Sequence, residues 1–487
     1  MAHLAYTPLS EIATTVQDLR ATFSSGLTRP LSYRKEQLKG IHNFIAENEA
    51  RIREAAFLDL HKPEQELTLG ETAMIKQECV DAIKHLDQWA APKKVSGGLV
   101  NTMNTLEVRK EPLGTVLVIG AWNYALNLLI VPALGAIAAG NTVLLKPSEV
   151  APHTAALVTE LLPRYVDQRC CRVVNGAAEE TTELLTHRFD HIFYTGSGNV
   201  GRIIMTAAAK HLTPVTLELG GKSPTFVAKD ANINVVARRV AGSKFFNCGQ
   251  SCIAPDYLIV ERGLENDLVK HMKAHLKEFY GSAQTSNSYA RIVNRSHFNR
   301  LKRMLEETKG TIVIGGEMQE DDLYIAPTVV TNVQPGDSLL RDEIFGPILP
   351  ILVVDSLKEG VDFVNERDQP LALYVFSEDK KVISSILDNT RSGSVVVNDM
   401  MIQFMATNLP FGGTGPSGFG NYHGQRSFDT FSHERSTIIK NLGMERANNL
   451  RYPPYSEKKL SWLQWLLFDK AKYSANAANP GATKAKL

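Results

Sequence analysis

The chain has 487 residues, of which 44% are hydrophobic and 22% are charged, and its formal net charge is +1. This length predicts two or three domains, and the composition is ordinary for a globular protein in water. The balanced charge argues against a protein that binds nucleic acids or acidic surfaces.

Five cysteines are scattered through the chain. An odd, sparse set argues against a disulfide scaffold and for a reducing compartment, so an intracellular, cytosol-facing location is expected. Cys248 and Cys252 lie four positions apart with no histidine nearby, so no metal site is predicted. The N-terminus lacks a cationic segment followed by an apolar one, so no secretory signal is predicted either.

The N-terminal region, up to about Pro92, is rich in charged residues and predicts several helices. Apolar residues recur there at spacings of three, four and seven: Leu38, Ile41, Ile45, Ile52 and Ala56. This period is typical of an amphipathic helix. The next segment, Val100–Pro112, mixes threonine, valine and leucine with polar residues, and it predicts an exposed strand or hairpin.

The stretch 112–142 contains no charged residue, so it has to be weighed as a membrane span. A spanning helix needs about 20 consecutive apolar residues. Glycines, asparagines and one proline interrupt this stretch. It therefore predicts a buried strand, a turn and a buried helix, and no span.

From Leu113 onward, short apolar runs alternate with helical patterns. The predicted strands are Thr115–Ile119, Thr142–Leu145, Arg172–Val174, His191–Tyr194 and Pro214–Leu217. This alternation is typical of a parallel sheet covered by helices on both faces, which binds ligands beyond the carboxyl ends of its strands. The residues that fall at those ends are Asn123, Lys146, Glu149, Gly196, Ser197 and Glu218.

A second α/β series begins at about Gly221, and the crossing Glu218–Gly221 is the hinge between two predicted sheets. The predicted strands of this series are Thr225–Val227, Tyr257–Val260, Thr328–Val330, Ile348–Ile351, Ala372–Phe376 and Gly393–Val397. The predicted fold class is therefore α/β with two sheets.

Two residues carry the side chains that covalent acyl chemistry requires. Cys252 is a thiol that can act as a nucleophile, and Glu218 is a carboxylate that can handle a water. Each also has a simpler structural interpretation. The cysteine can be a small buried side chain, and the glutamate can be a cap or an ion-pair partner.

The run Gly196-Ser-Gly198-Asn-Val-Gly201 matches the dinucleotide-binding pattern G-x-G-x-x-G and follows a predicted strand. That pattern belongs to the first strand–helix turn of a sheet, whereas this strand is the fourth of its series. We therefore infer only that this helix N-terminus can hold a phosphate, and we do not assign Glu218 as a ribose ligand.

Seven runs occur in the order in which a known family has them. They are Gly120–Tyr124, Lys146–Glu149, Tyr194–Ser197, Leu217–Pro224, Asn247–Cys252, Glu343–Pro347 and Pro410–Gly413. Together they resemble the aldehyde dehydrogenases, over roughly residues 7–454. Two further runs, Tyr422–Gly424 and Ser427–His433, resemble the class 3, fatty-aldehyde branch.

The resemblance implies an α/β fold with a Rossmann-type NAD-binding domain, an α/β catalytic domain and a small β bridging segment used for oligomerisation. A homodimer is implied, paired through the exposed strand near Val108. The implied boundaries are 1–92 and 113–219 for the NAD-binding domain, 220–402 for the catalytic domain, 93–112 and 403–455 for the bridging segment, and 456–487 for a C-terminal amphipathic helix with a disordered tail.

The resemblance also implies a mechanism. Cys252 attacks the aldehyde carbonyl, while the Asn123 amide and the Cys252 backbone N–H hold the oxyanion. After a hydride has passed to the nicotinamide, Glu218 deprotonates the water that releases the carboxylic acid from the thioester. Packing is the preferred role for Cys248, and the roles of Tyr124 and His423 stay open.

NAD is the implied cofactor, and NADP is accepted as well. The carboxylate of Glu149 should disfavour a 2′-phosphate, so NAD is preferred. The implied cofactor residues are Lys146 and Glu149 at the adenosine ribose, Gly196, Ser197 and Gly201 at the pyrophosphate, and Glu343 with Phe345 at the nicotinamide ribose.

The chain departs from the family pattern in two places. Ala125 stands where a proline is usual, which loosens the turn that carries Asn123. The apolar stretch Trp462–Phe468 resembles the helix that precedes a membrane anchor, but no span follows it, so the chain either lacks the anchor or ends short of it. This stretch is expected to pack on the body or on a partner subunit, or to bind a membrane surface.

The implied substrate is a long apolar aldehyde of fatty, isoprenoid or apocarotenoid type. Two alternatives are a catalytically silent structural or binding homologue and a coenzyme A-acylating enzyme. The first predicts damage to the core residues, and the second predicts loss of Glu218. All of these residues are present.

Overall fold

A computed structural model describes the chain over residues 4–97, 101, 104–443 and 445–467. The chain forms two compact units. One consists of the chain up to Ala90 together with Glu111–His433, and the other of Ala91–Lys110 together with the residues from Glu434 onward. No helix within the described ranges is long and apolar enough to cross a membrane.

Helices make up nearly all of the N-terminal region and alternate with strands thereafter. In chain order they are α1 (Leu9–Ser25), α2 (Leu31–Glu47), α3 (Glu49–Leu60), α4 (Glu64–Leu67), α5 (Ala73–Ala90), α6 (Asn127–Ala139), α7 (Pro152–Leu161), α8 (Ala178–Thr186), α9 (Gly198–Ala209), α10 (Ile233–Lys244), α11 (Glu265–Tyr280), α12 (Arg295–Glu307), α13 (Ser338–Arg341), α14 (Leu357–Asn365), α15 (Lys380–Asn389), α16 (Gln425–Thr430), α17 (Glu445–Asn448) and α18 (Glu457–Leu467). A π-helical turn, Thr68–Thr72, joins α4 to α5.

The strands are short, as is usual for an α/β protein. In chain order they are β1 (Lys93–Lys94), β2 (Thr105–Pro112), β3 (Thr115–Ile119), β4 (Thr142–Lys146), β5 (Cys171–Val173), β6 (His191–Thr195), β7 (Val215–Glu218), β8 (Pro224–Val227), β9 (Tyr257–Glu261), β10 (Thr311–Ile314), β11 (Met318–Gln319), β12 (Tyr324–Ile325), β13 (Thr328–Thr331), β14 (Ile348–Val354), β15 (Ala372–Phe376), β16 (Ser394–Val397), β17 (Gly418–Phe419) and β18 (Ser432–Ile439).

Two large sheets lie within the first unit. The first has the order β17-β7-β6-β3-β4-β5 and is parallel except for β17. The second has the order β10-β13-β14-β9-β8-β15-β16 and is parallel except for β10. Every residue of β3, β4, β6 and β15 is buried, as expected for parallel strands covered on both faces.

The predicted strands of both series are confirmed, with some ends shifted by one to three residues. The edge strands β10 and β17 are absent from the predicted set, because β10 is largely exposed and β17 has only two residues. The uncharged stretch 112–142 forms β3 and the wholly buried helix α6, as predicted.

The single amphipathic helix predicted through Leu38–Ala56 is wrong, because two helices occupy this region. The backbone of Asn48 leaves the helical conformation at φ −121°, and this residue separates α2 from α3. Its side-chain amide donates to the Phe44 carbonyl at 2.8 Å, which satisfies an acceptor at the end of α2. The apolar period continues across the break, so period alone does not reveal it.

Part of the segment 403–455 lies in the first unit. Strand β17 pairs with β7 at the edge of the first sheet, and helix α16 packs on α6. A three-stranded sheet of order β1-β2-β18 places β2, the strand of Val108, in its centre and not at an exposed edge. The predicted disordered tail lies outside the described residues, which end at Leu467, the last residue of α18.

Candidate active site

A cleft with several polar and charged side chains, called the polar cleft below, lies at the carboxyl ends of the first sheet's strands, as predicted, and has a volume of about 540 Å³. Glu218 is the last residue of β7, and Thr195 is the last residue of β6. The cleft also collects residues from the loops and helices of the second series. Its lining includes Trp122, Asn123, Thr195, Gly196, Ser197, Glu218, Cys252, His297, Arg300, Glu343 and Phe345.

A second, apolar cavity reaches the same residues from another direction. Thr195, Glu218 and Cys252 line both the polar cleft and this apolar cavity. The other residues that line the apolar cavity include Gly70, Met74, Tyr124, Leu128, Ile253, Leu371, Met401, Phe404, Phe411, Tyr422 and His423. The thiol and the carboxyl group that the sequence singles out therefore lie where the two cavities meet.

A rigid loop presents Cys252. Asn247 and Cys248 adopt left-handed backbone conformations, with φ of 51° and 54°. The Asn247 backbone N–H donates to the carboxyl group of Glu66 at 2.8 Å. Gln250 anchors the loop with its side chain, since Nε2 donates to the carbonyls of Asn247 and Arg291 at 3.0 and 2.9 Å. Cys252 thus follows a segment held by side-chain hydrogen bonds.

The thiol of Cys252 holds its proton at neutral pH. Burial is the main cause of its raised pKa of about 12, and the carboxyl groups of Glu343 and Glu218 raise this pKa further when they are ionised. Cys252 is nonetheless partly exposed, whereas Cys248 is fully buried and its thiol donates to the Tyr289 hydroxyl at 3.5 Å. Only the first of these two thiols is open to a substrate.

Glu218 is a buried carboxyl group, and no protein group within the described residues donates a hydrogen bond to either of its oxygens. Burial raises its pKa well above the usual range. A buried carboxyl group with a raised pKa can exchange a proton near neutral pH. Its position at the meeting point of both cavities suits it to act on a water beside Cys252.

Asn123 is buried at the edge of the polar cleft, and its amide Nδ2 donates to the Gln250 carbonyl at 3.1 Å. An amide nitrogen carries two hydrogens, so this bond leaves one donor that can serve an oxyanion. The Asn123 backbone carbonyl accepts from Lys62 Nζ at 2.7 Å and from Asn247 Nδ2 at 3.0 Å. The residue is fixed through its backbone as well as through its amide.

Glu343 and Phe345 also line the polar cleft. Burial, with the charge of Asp256, raises the pKa of Glu343 to about 8. Arg300 holds this segment, since its guanidinium donates to the Ile344 carbonyl at 2.6 Å. The Phe345 ring lies 5.3 Å from the Trp122 ring, centroid to centroid. These contacts give the cleft a preformed aromatic and acidic wall.

The structure does not bring every predicted cofactor residue into the polar cleft. Lys146, the last residue of β4, forms an ion pair of 2.5 Å with Glu149, and neither residue is among those that line the cleft. Gly201 lies buried in α9, where a Cβ would come within 3.1 Å of Leu219. Its absent side chain allows α9 to pack closely against Leu219.

The polar cleft fits a dinucleotide. A Cβ on Gly196 would lie 2.2 Å from the Tyr194 hydroxyl, and a Cβ on Gly220 would lie 2.2 Å from a Glu343 carboxyl oxygen. Only glycine fits at these two points, because a neighbouring side chain already occupies the space that a Cβ would need. Ser197 caps α9 by accepting from the Val200 N–H at 3.5 Å, and the positive end of this helix faces the cleft.

Several residues of the site carry no role in the sequence-based assignment. Trp122 and Thr195 lie inside matched runs, so the runs themselves could have pointed to them. His297 and Arg300 lie three apart on α12, and the ring of His297 is 5.0 Å from that of Trp122. No local pattern in the sequence marks these last two residues as part of a cleft.

Comparisons with known proteins identify the family of the chain. The family model "Aldehyde dehydrogenase family" matches residues 1–437. Aldehyde dehydrogenase family 3 member A2 of Macaca fascicularis is 48% identical over 461 residues, which cover 94% of this chain and 95% of that protein. The dimeric NADP-preferring aldehyde dehydrogenase of Rattus norvegicus is 48% identical over 92% of this chain and 99% of that protein.

A solved structure of AldH from Staphylococcus aureus, in a substrate-bound state, superposes with a TM-score of 0.91 at 40% sequence identity. The match covers 93% of this chain and 99% of that one. The chain therefore belongs to the aldehyde dehydrogenase family and is an NAD(P)-dependent enzyme that oxidises aldehydes.

Proposed function

We propose that the chain oxidises long-chain apolar aldehydes, of fatty, isoprenoid or apocarotenoid type, to carboxylic acids, with Cys252 as nucleophile. One observation carries this proposal. A cavity lined by leucine, isoleucine, methionine and aromatic side chains meets the polar cleft at Cys252 and Glu218. This cavity has a volume of about 50 Å³, so a long alkyl chain would enter it as the lining side chains move apart, and the aldehyde group would remain beside the thiol.

The chemistry follows from the groups around the thiol. As the sulfur of Cys252 bonds to the carbonyl carbon, the thiol proton leaves to solvent through the polar cleft. The Asn123 amide and the Cys252 backbone N–H stabilise the oxyanion, and one such donor contributes roughly 100- to 1,000-fold in rate. The bound NAD(P) supplies the hydride acceptor. Glu218 takes a proton from the water that attacks the thioester, and the acid leaves as the sulfur regains its proton.

The cofactor residues are proposed as follows. Glu343 and Phe345 bound the end of the cleft near Cys252, where the nicotinamide ribose belongs. Gly196 and Ser197 suit the pyrophosphate at the positive end of α9. Lys146 and Glu149 suit the adenosine ribose, where the Glu149 carboxylate repels a 2′-phosphate, so NAD is preferred and NADP is accepted.

Two contacts with partners complete the proposal. We propose a homodimer that pairs through the outer strand of the three-stranded sheet, β18, whose Ile438 and Ile439 are 63% and 52% exposed.

We also propose that α18 contacts a membrane surface through Trp462 and Trp465, which are 52% and 57% exposed. Phe468, the last residue of the predicted stretch, lies outside the described residues.

A chain-length series of saturated aldehydes tests the substrate class. Each added methylene contributes about 0.8 kcal/mol when buried, so kcat/KM should rise up to about fourfold per carbon until the cavity is filled. The assay is run separately with NAD and with NADP, and the absorbance of the NADH or NADPH formed is followed. The variant Leu128→Ala should lower kcat/KM for the longest aldehydes and leave that for acetaldehyde unchanged. A profile that is flat, or that favours short polar aldehydes, would contradict the proposed substrate class.

A further inference from the structure

A buried ion pair contacts the turn that carries Asn123. Lys62 Nζ lies 2.6 Å from a carboxyl oxygen of Glu71, and the two side chains are 1% and 4% exposed. Removing two charges from water is expensive, and such a pair is stable only where further hydrogen bonds satisfy both groups. The remaining bonds of this pair therefore show what it holds in place.

Those bonds all go to one turn, Asn123–Asn127. Lys62 Nζ donates to the Asn123 carbonyl at 2.7 Å, at the start of the turn. The second carboxyl oxygen of Glu71 accepts from the backbone N–H groups of Leu126 and Asn127 at 2.9 and 3.3 Å, at its end. The cation and the anion thus hold the two ends of the same turn.

The turn makes further contacts with the segment 62–71, which contains both Lys62 and Glu71. The ammonium of Lys62 lies 4.5 Å from the centroid of the Tyr124 ring, and the Asn127 amide donates to the Gly70 carbonyl at 3.0 Å. Glu71 itself lies in the π-helical turn Thr68–Thr72, a local irregularity often found at functional sites. The segment 62–71 therefore serves as the anchor of the turn.

The turn needs such an anchor. Ala125 lies at its centre, and alanine does not restrict φ as a proline does. The carbonyl that Lys62 holds also accepts from Asn247 Nδ2 at 3.0 Å, and Asn247 belongs to the loop before Cys252. A rotation of the Asn123 peptide would therefore move the amide donor relative to the thiol.

We propose that Lys62 and Glu71 are positioning residues that fix the Asn123 amide as the oxyanion donor for Cys252. This inference rests on the proposed role of Asn123. The pair lies outside the polar cleft and does not touch the reacting atoms; it acts through the backbone of the turn. Its loss should therefore lower kcat while the binding of the cofactor is retained.

The test uses variants that separate positioning from folding. Lys62→Met alone leaves the Glu71 charge buried and unpaired, whereas K62M/E71Q removes both charges together. We expect K62M/E71Q to remain folded, with NAD binding within about twofold of wild type, and kcat reduced by roughly 10- to 100-fold. K62R, which keeps a cation and N–H donors, should recover part of the rate. The matched control is K39M, which breaks the exposed Lys39–Glu36 pair of 2.8 Å and should leave kcat unchanged.

A double-mutant cycle with Asn123→Ala identifies the residue through which the pair acts. If Lys62 acts through Asn123, adding K62M/E71Q to N123A should cause no further loss in kcat. Losses that multiply, or a folded K62M/E71Q variant with wild-type kcat, would overturn the positioning role. If N123A itself leaves kcat unchanged, the oxyanion role of Asn123 fails first, and the positioning role fails with it.

Should K62M/E71Q not fold, K62R and E71Q are measured singly against the same N123A background. Hydrogen exchange at the Leu126 and Asn127 amides then gives a readout independent of turnover. Both amides should exchange faster in E71Q than in wild type, because each loses a carboxylate acceptor. Unchanged exchange in a folded E71Q variant would contradict the anchoring of the turn.

Discussion

Burial, more than neighbouring charge, determines the protonation states of the reactive side chains. It is the largest cause of the raised pKa of Cys252, Glu218 and Glu343 alike. All three groups therefore favour their neutral forms in the unliganded protein. An apolar aldehyde can bind beside neutral groups without displacing water from a charge. Cys252 and Glu218 take their charged forms as the reaction proceeds.

The first prediction at this scale concerns Glu218. In Glu218→Gln, attack by Cys252 and the hydride step should still occur, so NADH should appear in a burst equal to the enzyme concentration. Turnover after the burst should fall by about 100- to 10,000-fold, because no carboxylate deprotonates the water. Rapid-mixing absorbance at 340 nm measures both phases. Steady turnover at the wild-type rate would exclude Glu218 as the base.

The second prediction concerns the pH dependence of Cys252. Iodoacetamide reacts with the thiolate, and the thiolate fraction grows tenfold per pH unit below the pKa. Because the pKa of Cys252 is raised to about 12, alkylation should become faster throughout pH 7 to 9 without a plateau. Mass spectrometry of the labelled peptide follows the rate, with Cys252→Ala as control. A plateau near pH 7 would show that the thiolate is already formed in the free enzyme.

At the scale of elements, helix α7 shows how a distant residue can begin a helix. It starts at Pro152 after Ala151, which offers no side-chain cap. Asp59, in the last turn of α3, accepts from the backbone N–H groups of His153 and Thr154 at 2.9 Å each, and from the Thr154 hydroxyl at 2.6 Å. This contact fixes the start of α7, three residues beyond Glu149.

Replacing Asp59 by alanine should lower the free energy of unfolding by roughly 1–3 kcal/mol, because buried N–H donors of α7 lose a charged acceptor. Urea denaturation should show a lower midpoint with an unchanged m-value. Asp87→Ala removes an exposed carboxylate that pairs with Lys35, and it should change stability by less than about 0.5 kcal/mol. Equal effects of the two substitutions would contradict the capping role of Asp59.

The elements that the sequence predicts well are those whose pattern is local. Buried strands such as β3 and β15 are continuous apolar runs, and both were found where expected. Elements that depend on partners far along the chain are harder to predict. The start of α7 depends on a residue more than 90 positions away, and β17 exists only because it pairs with β7.

At the scale of the whole molecule, the sequence also indicated which edge of the first sheet forms the site. Glu218 ends one parallel strand, Gly196 and Ser197 follow another, and such strands end at one edge of the sheet. The contacts of Lys62 and Glu71 with the turn that carries Asn123 were not predicted, because both residues are charged, and charged residues are rarely buried. The residues that line the apolar cavity were not predicted either, because they come from several distant parts of the chain.

The left-handed backbone at Cys248 limits which residues can replace it during evolution. The residue is fully buried, and β-branched side chains are strained at positive φ. Serine, glycine or asparagine would satisfy both the shape and the conformation, whereas valine or isoleucine would distort the path to the nucleophile. The residues found naturally at this position should therefore be small and able to adopt a positive φ, and they need not contain sulfur.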